Sequence, residues 1–168
     1  MSLLFHQMTP NEKRSKFEND AHHYVIDLYN KIADNYNVTI TDWDIPEDPY
    51  SRYDMSCTIN SKPVYIENKS RQTKYHYTDF IKTGYRLKAH KLNNATIFNY
   101  LWVQDNICMI TNKKQIEDLE PVKTYSRHLT TVNDESSDGY ELNYVIPYER
   151  FWVFSLSDGK LISKPEKR

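Results

Sequence analysis

The sequence predicts an α/β or α+β sheet flanked by helices. Three observations carry this reading. A helical period runs from Pro10 to Asn35, alternating strand-like stretches follow it directly, and helical and strand periods then mix as far as Leu156. At 168 residues, the chain is expected to form one domain over residues 1–168, because domains commonly run to about 100–200 residues.

Within the first period, Phe17, Ala21, Tyr24, Val25, Leu28 and Ile32 recur three and four apart, the spacing of one helix face. Thr9 before Pro10 supplies a cap and a first turn, with Glu12 three residues on from Thr9. Val38 to Trp43 alternates and is β-branched, so it reads as a strand. Two prolines within four residues make 44–51 a loop. Tyr53 to Ile59 and Val64 to Lys69 form two strands joined by a turn at Asn60-Ser61-Lys62-Pro63. Phe80, Ile81, Tyr85, Leu87 and Leu92 are spaced as a second helix, which Gly84 weakens. A hairpin is expected from Ala95 to Thr111 around Asp105-Asn106, then a short helix from Lys113 to Glu120 closed by Pro121. A polar loop at 133–139 precedes strands at Leu142 to Ile146 and Phe151 to Leu156, and Asp158-Gly159 marks a turn after the last.

A hydrophobic share of 39%, with 14 Tyr and 3 Trp, excludes a disordered chain. Cys57 and Cys108 are too few for a disulfide framework or a cysteine-based zinc site, and they read as small buried apolar residues in a reducing compartment. Three glycines cannot build a phosphate-cradling loop, which excludes Rossmann and P-loop nucleotide sites. No apolar run nears the roughly 18 residues of a bilayer span, and Met1 to Phe5 lacks the basic start of a signal peptide. A cytoplasmic protein without a membrane partner is therefore expected.

The net charge of −1 conceals a polarity. Residues 1–61 carry 5 basic and 10 acidic side chains, residues 62–91 carry 8 and 2, and residues 92–168 carry 9 and 11. The positive block, with Arg71, Lys74, Lys82, Arg86, Lys88 and Lys91, is where a phosphate backbone would lie.

The constellation that points to chemistry begins just before that block and runs into it. In Val64-Tyr65-Ile66-Glu67-Asn68-Lys69 the strand period of two puts Tyr65, Glu67 and Lys69 on one face. Asp54 lies on the preceding strand with twelve residues between it and Glu67, so a hairpin can set the two carboxylates side by side. Two carboxylates that close repel unless one protonates or a cation joins them. Mg²⁺ suits the role, since it takes one or two carboxylates and keeps sites for water and phosphate. A lysine beside it would orient or deprotonate the attacking water, or neutralise charge on the phosphate. These groups suit phosphodiester hydrolysis.

The same residues resemble the PD-(D/E)XK nuclease superfamily, whose pattern is an Asp at a strand start and an acid-x-Lys on the next strand. The resemblance spans Glu18 to about Lys91. It implies a restriction-endonuclease-like core, a central mixed β-sheet flanked by helices. Asp54 and Glu67 match its metal ligands, Lys69 its catalytic lysine, and Glu18 the acid on its first helix that joins the metal or its water. Mg²⁺ or Mn²⁺ is the implied cofactor. Tyr53 stands where the pattern has Pro, and neither the Gln motif of the RecB-like exonucleases nor the four-cysteine cluster of the iron–sulfur members is present. The chain is therefore more similar to small stand-alone endonucleases, such as Holliday-junction resolvases and restriction-type enzymes, acting on DNA rather than RNA. A homodimer is expected, because cutting two strands needs two sites. The wealth of Asn, Tyr, Lys and Ile suggests an A+T-rich phage or mobile element and branched or foreign DNA as substrate.

Blander readings stand beside these. Glu67 and Lys69 could be a solvated ion pair, Asp54 a turn-flanking acid and Glu18 an exposed helix residue. His22 and His23 are adjacent on a helix and point about 100° apart, which prevents joint chelation. Lys74-Tyr75-His76-Tyr77 interleaves charge and rings as single-strand binders do, or forms a rim of packed tyrosines. Arg127-His128 reads as surface loop before it reads as a phosphate contact. Two other functions remain open on the same scaffold, a non-catalytic nucleic-acid-binding or protein-interaction module and a regulatory protein with a tyrosine-rich interface.

Overall fold

The computed structural model describes residues 10–48, 50–70, 74–125 and 140–166, with side chains from Asp20 onward except at Tyr125. Helix α1 covers Pro10–Tyr36 and buries Ala21, Val25, Leu28 and Tyr29. Tyr24, expected on the same face, is exposed. The helix stops at Asn37, whose φ of 55° is left-handed. Val38 N–H then reaches back to the Ala33 carbonyl at 3.1 Å, the closing bond of a Schellman cap. Thr9, the expected N-terminal cap, lies outside the described residues.

Strands β1 (Ile40–Asp44), β2 (Met55–Ile59) and β3 (Lys62–Ser70) follow. The β2–β3 turn is tighter than expected. Asn60 and Ser61 both take positive φ, 47° and 70°, and Ile59 pairs directly with Lys62. This two-residue turn matches the twist of the strands, and it starts β3 two residues before Val64. In β1 a bulge lies between Thr41 and Asp44, with Asp42 at a φ of 58°.

The second helix is not formed. Residues 77–93 make a 3-10 turn at Tyr77–Phe80, strand β4 (Tyr85–Lys88) and another 3-10 turn at Ala89–Asn93. The physical reason is local. Gly84 takes a φ of 87°, which ends any helical turn after Phe80. Beyond it burial alternates with a period of two, Tyr85 and Leu87 buried, Arg86 and Lys88 exposed. A Cβ at Gly84 would lie 2.6 Å from Val145 Cγ1 and 3.3 Å from the Ile146 carbonyl. Gly84→Ala is therefore expected to destabilise the protein by about 2 kcal/mol in equilibrium urea unfolding; an unchanged midpoint would count against this account.

The chain continues through β5 (Ile97–Trp102), β6 (Ile107–Asn112), a single turn of helix α2 (Lys113–Ile116), β7 (Val122–Tyr125), β8 (Tyr140–Ile146), β9 (Trp152–Ser155) and β10 (Leu161–Ser163). The β5–β6 hairpin turns where expected, with Asn106 at a φ of 56°. The expected Lys113–Glu120 helix shrinks to α2, capped by Asn112 Oδ1 accepting from Gln115 N–H at 3.0 Å. Gly159, at a φ of 68°, serves the β9–β10 turn signalled by Asp158-Gly159. The polar loop at 133–139 lies outside the described residues.

Among the described residues the strands form two sheets. The larger has the order β1-β2-β3-β5-β6-β9-β10 and is mixed, antiparallel except where β3 and β5 run parallel. The smaller has the order β4-β8-β7. Helix α1 covers one face of the large sheet, packing Val25, Leu28 and Tyr29 on Met55, Cys57, Ile66, Leu101 and Cys108. The small sheet covers the other, with Tyr85, Leu87 and Ile146 against Phe98, Tyr100, Trp102 and Met109. The protein is thus an α/β fold with few helices, and its second covering layer is a sheet where a helix was expected. Strand β5 is buried on both sides, which explains its nearly unbroken apolar run. Both cysteines are buried and unpaired. Burial pushes the Cys57 thiol up to about 11 and raises that of Cys108 further, so both are inert small apolar residues. No described helix is long and apolar enough to cross a membrane.

Candidate active site

The tight β2–β3 turn sets the register that builds the site. Met55 pairs with Ile66, so the next step along the ladder brings Asp54 opposite Glu67. Asp54 N–H donates to the Ile66 carbonyl at 3.0 Å, and Asp54 Oδ2 accepts the Asn68 backbone N–H at 2.7 Å. Both ends of Asp54 are therefore fixed on β3.

Glu67 and Lys69 share the face of β3 that turns toward the small sheet, while Ile66 and Asn68 turn toward α1. Asn68 joins a polar chain through the large sheet. Tyr29 Oη donates to Asn99 Oδ1 at 2.8 Å, and Asn99 Nδ2 donates to Asn68 Oδ1 at 2.9 Å. Asn99 is fully buried, so this chain ties the helix to the strand carrying Glu67.

Glu67 has a side-chain exposure of 13%. Its pKa is raised, first by burial and next by the neighbouring charge of Asp54, against the opposing pull of Lys91 and Lys69. Lys91 Nζ donates to Glu67 Oε1 at 2.6 Å. Lys69 Nζ donates to the Arg86 carbonyl at 3.0 Å and sits 5.8 Å from the centroid of the Tyr100 ring. That carbonyl also accepts Tyr100 Oη at 2.7 Å, so one peptide group of β4 anchors the lysine and the ring beneath it.

Asp54, Glu67 and Lys69 are thus brought together. Glu18 lies on α1, its side chain outside those described, and α1 packs on the opposite face of β3. Arg71 lies outside the described residues, as do Arg127 and His128. Lys74, Lys82, Arg86 and Lys88 are all exposed. Arg86 and Lys88 project from the outer side of β4, and Lys88 Nζ lies 3.8 Å from Glu141 Oε2. In the Lys74 to Tyr77 segment Lys74, Tyr75 and His76 are exposed and Tyr77 is half-buried. Lys74 Nζ lies 5.0 Å from the centroid of the Tyr75 ring, His76 Nδ1 pairs with Asp105 Oδ1 at 2.5 Å, and Tyr77 stacks on Tyr148. His22 is half-buried and His23 exposed.

Compared with protein-family models, with curated proteins and with solved structures, the chain matches none.

Among the described residues no three His, Cys, Asp or Glu side chains cluster to hold a metal. Asp54 and Glu67 form a two-carboxylate set, which is within the range that Mg²⁺ uses. A cation between them would relieve both their repulsion and the cost of burying Glu67. The donors are hard oxygens, which suit Mg²⁺ or Mn²⁺ rather than a softer metal. An apolar cavity of about 280 Å³ opens on the α1 side of the sheet, lined by Tyr29, Ile32, Ile40, Ile97 and Trp152 among others. It lies away from the charged groups and offers no acid–base pair.

In the sequence Lys91 is one more basic residue, with no sign of its contact with Glu67. The Arg86 carbonyl that holds Lys69 is equally unmarked there. Neither has a local signal, because β4 and the turn after it reach β3 only through tertiary packing.

Proposed function

We propose that the protein is a metal-dependent endonuclease of the PD-(D/E)XK type, hydrolysing phosphodiester bonds in DNA with Mg²⁺ or Mn²⁺. One observation carries the reading: Asp54 and Glu67 sit side by side at the end of a hairpin, with Lys69 on the same face. The order α1, β1, β2, β3 and then a strand parallel to β3 supports a restriction-endonuclease-like core. The segment joining β3 to β5 departs from that core, since β4 and 3-10 turns replace the expected helix.

Bound to Asp54 and Glu67, the metal would supply an activated water and positive charge for the phosphate. The chain's own groups do the rest. The Asn68 N–H fixes the Asp54 carboxylate, and burial holds Glu67 in a low-dielectric position where its charge acts strongly. Lys69 is preorganised by the Arg86 carbonyl and the Tyr100 ring, so its ammonium can meet the attacking water or the charge building on the phosphate. Arg86 and Lys88, on the outer side of β4, would add cations for phosphates farther along the substrate. Glu18 would contribute from α1. Cutting both strands would use a homodimer.

The test is a side-by-side digestion of duplex, single-stranded, flapped and four-way DNA, with RNA alongside, in Mg²⁺, Mn²⁺ or EDTA. Cutting of DNA only when metal is present is the expected result. Absence of cutting under every condition would overturn the proposal. The 2.6 Å ion pair of Lys91 with Glu67 favours a second reading, a nucleic-acid-binding module whose carboxylate is already neutralised. DNA retention that ignores metal, with no heat of Mn²⁺ binding, would select it.

A further inference from the structure

We propose that Lys91 is a built-in counter-cation of the candidate site, paired with the Glu67 carboxylate so that it competes with a divalent metal for that group. The inference rests on reading Asp54 and Glu67 as metal ligands.

The geometry is specific. Lys91 Nζ lies 2.6 Å from Glu67 Oε1, and the side chains are 33% and 13% exposed, so the pair is largely shielded from water. Lys91 is presented by the 3-10 turn Ala89–Asn93, pinned by buried Leu92 within it and buried Ala95 just after it. The neighbouring cations have other partners. Lys69 donates to the Arg86 carbonyl, and Lys88 reaches toward Glu141. Without metal, two adjacent carboxylates at the end of one hairpin are an electrostatic liability, and the Lys91 ammonium offsets it.

A divalent ion held by the same carboxylate would sit close to the ammonium and repel it. Binding the metal therefore works against the ion pair, and the observed metal affinity is the intrinsic affinity reduced by that competition. Once displaced, Lys91 is left beside the carboxylates with no ion pair to Glu67. It becomes a positioning cation for a phosphate, which makes release of the lysine and loading of metal and substrate one coupled event.

Calorimetric titration of Mn²⁺ into the full-length protein tests this without reference to cutting, at a pH where Glu67 is ionised. Wild type, Lys91→Met, Lys91→Arg and Glu67→Gln would be compared. Lys91→Met keeps the aliphatic stem and removes the charge, and it is expected to bind Mn²⁺ about tenfold more tightly, equivalent to about 1.4 kcal/mol. Lys91→Arg should stay near wild type, and Glu67→Gln should abolish the binding. Lys91→Gln replaces the Met variant should that one fail to fold. Equal or weaker binding by the neutral variant overturns the inference and leaves the metal site standing. Absence of Mn²⁺ binding in both wild type and the neutral variant overturns the metal site and the inference together.

Discussion

If the proposed nuclease activity holds, Glu67→Gln is expected to lower the cutting rate by about 10³-fold or more, since it removes a carboxylate proposed to hold the metal while keeping the side chain's shape. Lys69→Met should do the same, because it removes the one ammonium on β3 that the Arg86 carbonyl and the Tyr100 ring hold in place. Metal-dependent nicking of a plasmid measures both, and near-normal rates in either would defeat the assignment. The two variants should part in stability. The pKa of Glu67 is raised in the folded protein even with Lys91 and Lys69 pulling it down. A carboxyl whose folded pKa exceeds its unfolded value stabilises the fold when protonated, and that contribution is lost as pH rises through the folded value. Glutamine mimics the protonated form. Without metal, Glu67→Gln should therefore melt close to wild type in acid below the ordinary glutamate range, and above wild type at neutral pH. A lower melting temperature than wild type at neutral pH would show that the Lys91 ion pair outweighs burial and Asp54.

The second large effect lies in the polar chain between helix and sheet. Asn99→Ala leaves the buried Tyr29 hydroxyl without its acceptor and Asn68 Oδ1 without its donor. A cost of about 3 kcal/mol is expected in urea unfolding, since each orphaned buried group forfeits its hydrogen bond and its solvation. Tyr29→Phe alone should cost about 1 kcal/mol. The double variant should cost less than the sum, because the phenylalanine leaves no hydroxyl to orphan. Strict additivity would mean that the chain does not act as a unit. Asn68 bonds Asp54 through its backbone, so the damage should extend to the site as weaker Mn²⁺ binding.

What could be read from the sequence follows from where its interactions are local. Asp54, Glu67 and Lys69 were legible because one tight hairpin fixes their register, and a period of two tells which of them share a face. Helix α1 was legible from its buried stripe, although Tyr24 shows that a spacing of three or four does not guarantee burial. Strand β4 was not legible. Phe80, Ile81, Leu87 and Leu92 mimic a helical spacing, and only the pairing with β8 reveals that Tyr85 and Leu87 alternate with Arg86 and Lys88. The small sheet stayed hidden for the same reason, as its strands come from segments far apart in the chain. The basic block is legible as charge, yet the contact of its member Lys91 with Glu67 is set by packing. A periodicity argument cannot distinguish the lysine that reaches Glu67 from those that face solvent.

The bulge in β1 bears on how copies of the chain could associate. Strands β1 and β10 are the two edges of the larger sheet, and an edge strand is a template on which another chain can extend the hydrogen-bonded ladder. Asp42 interrupts that template with a left-handed backbone in the middle of β1, and β10 is three residues long. Neither edge offers the straight run of free peptide groups that fibre-like stacking requires. Should two copies pair to cut two strands, the larger sheet's edges are poor templates for the contact, which would fall instead to side chains on a face, to a loop or to the smaller sheet's edges β4 and β7.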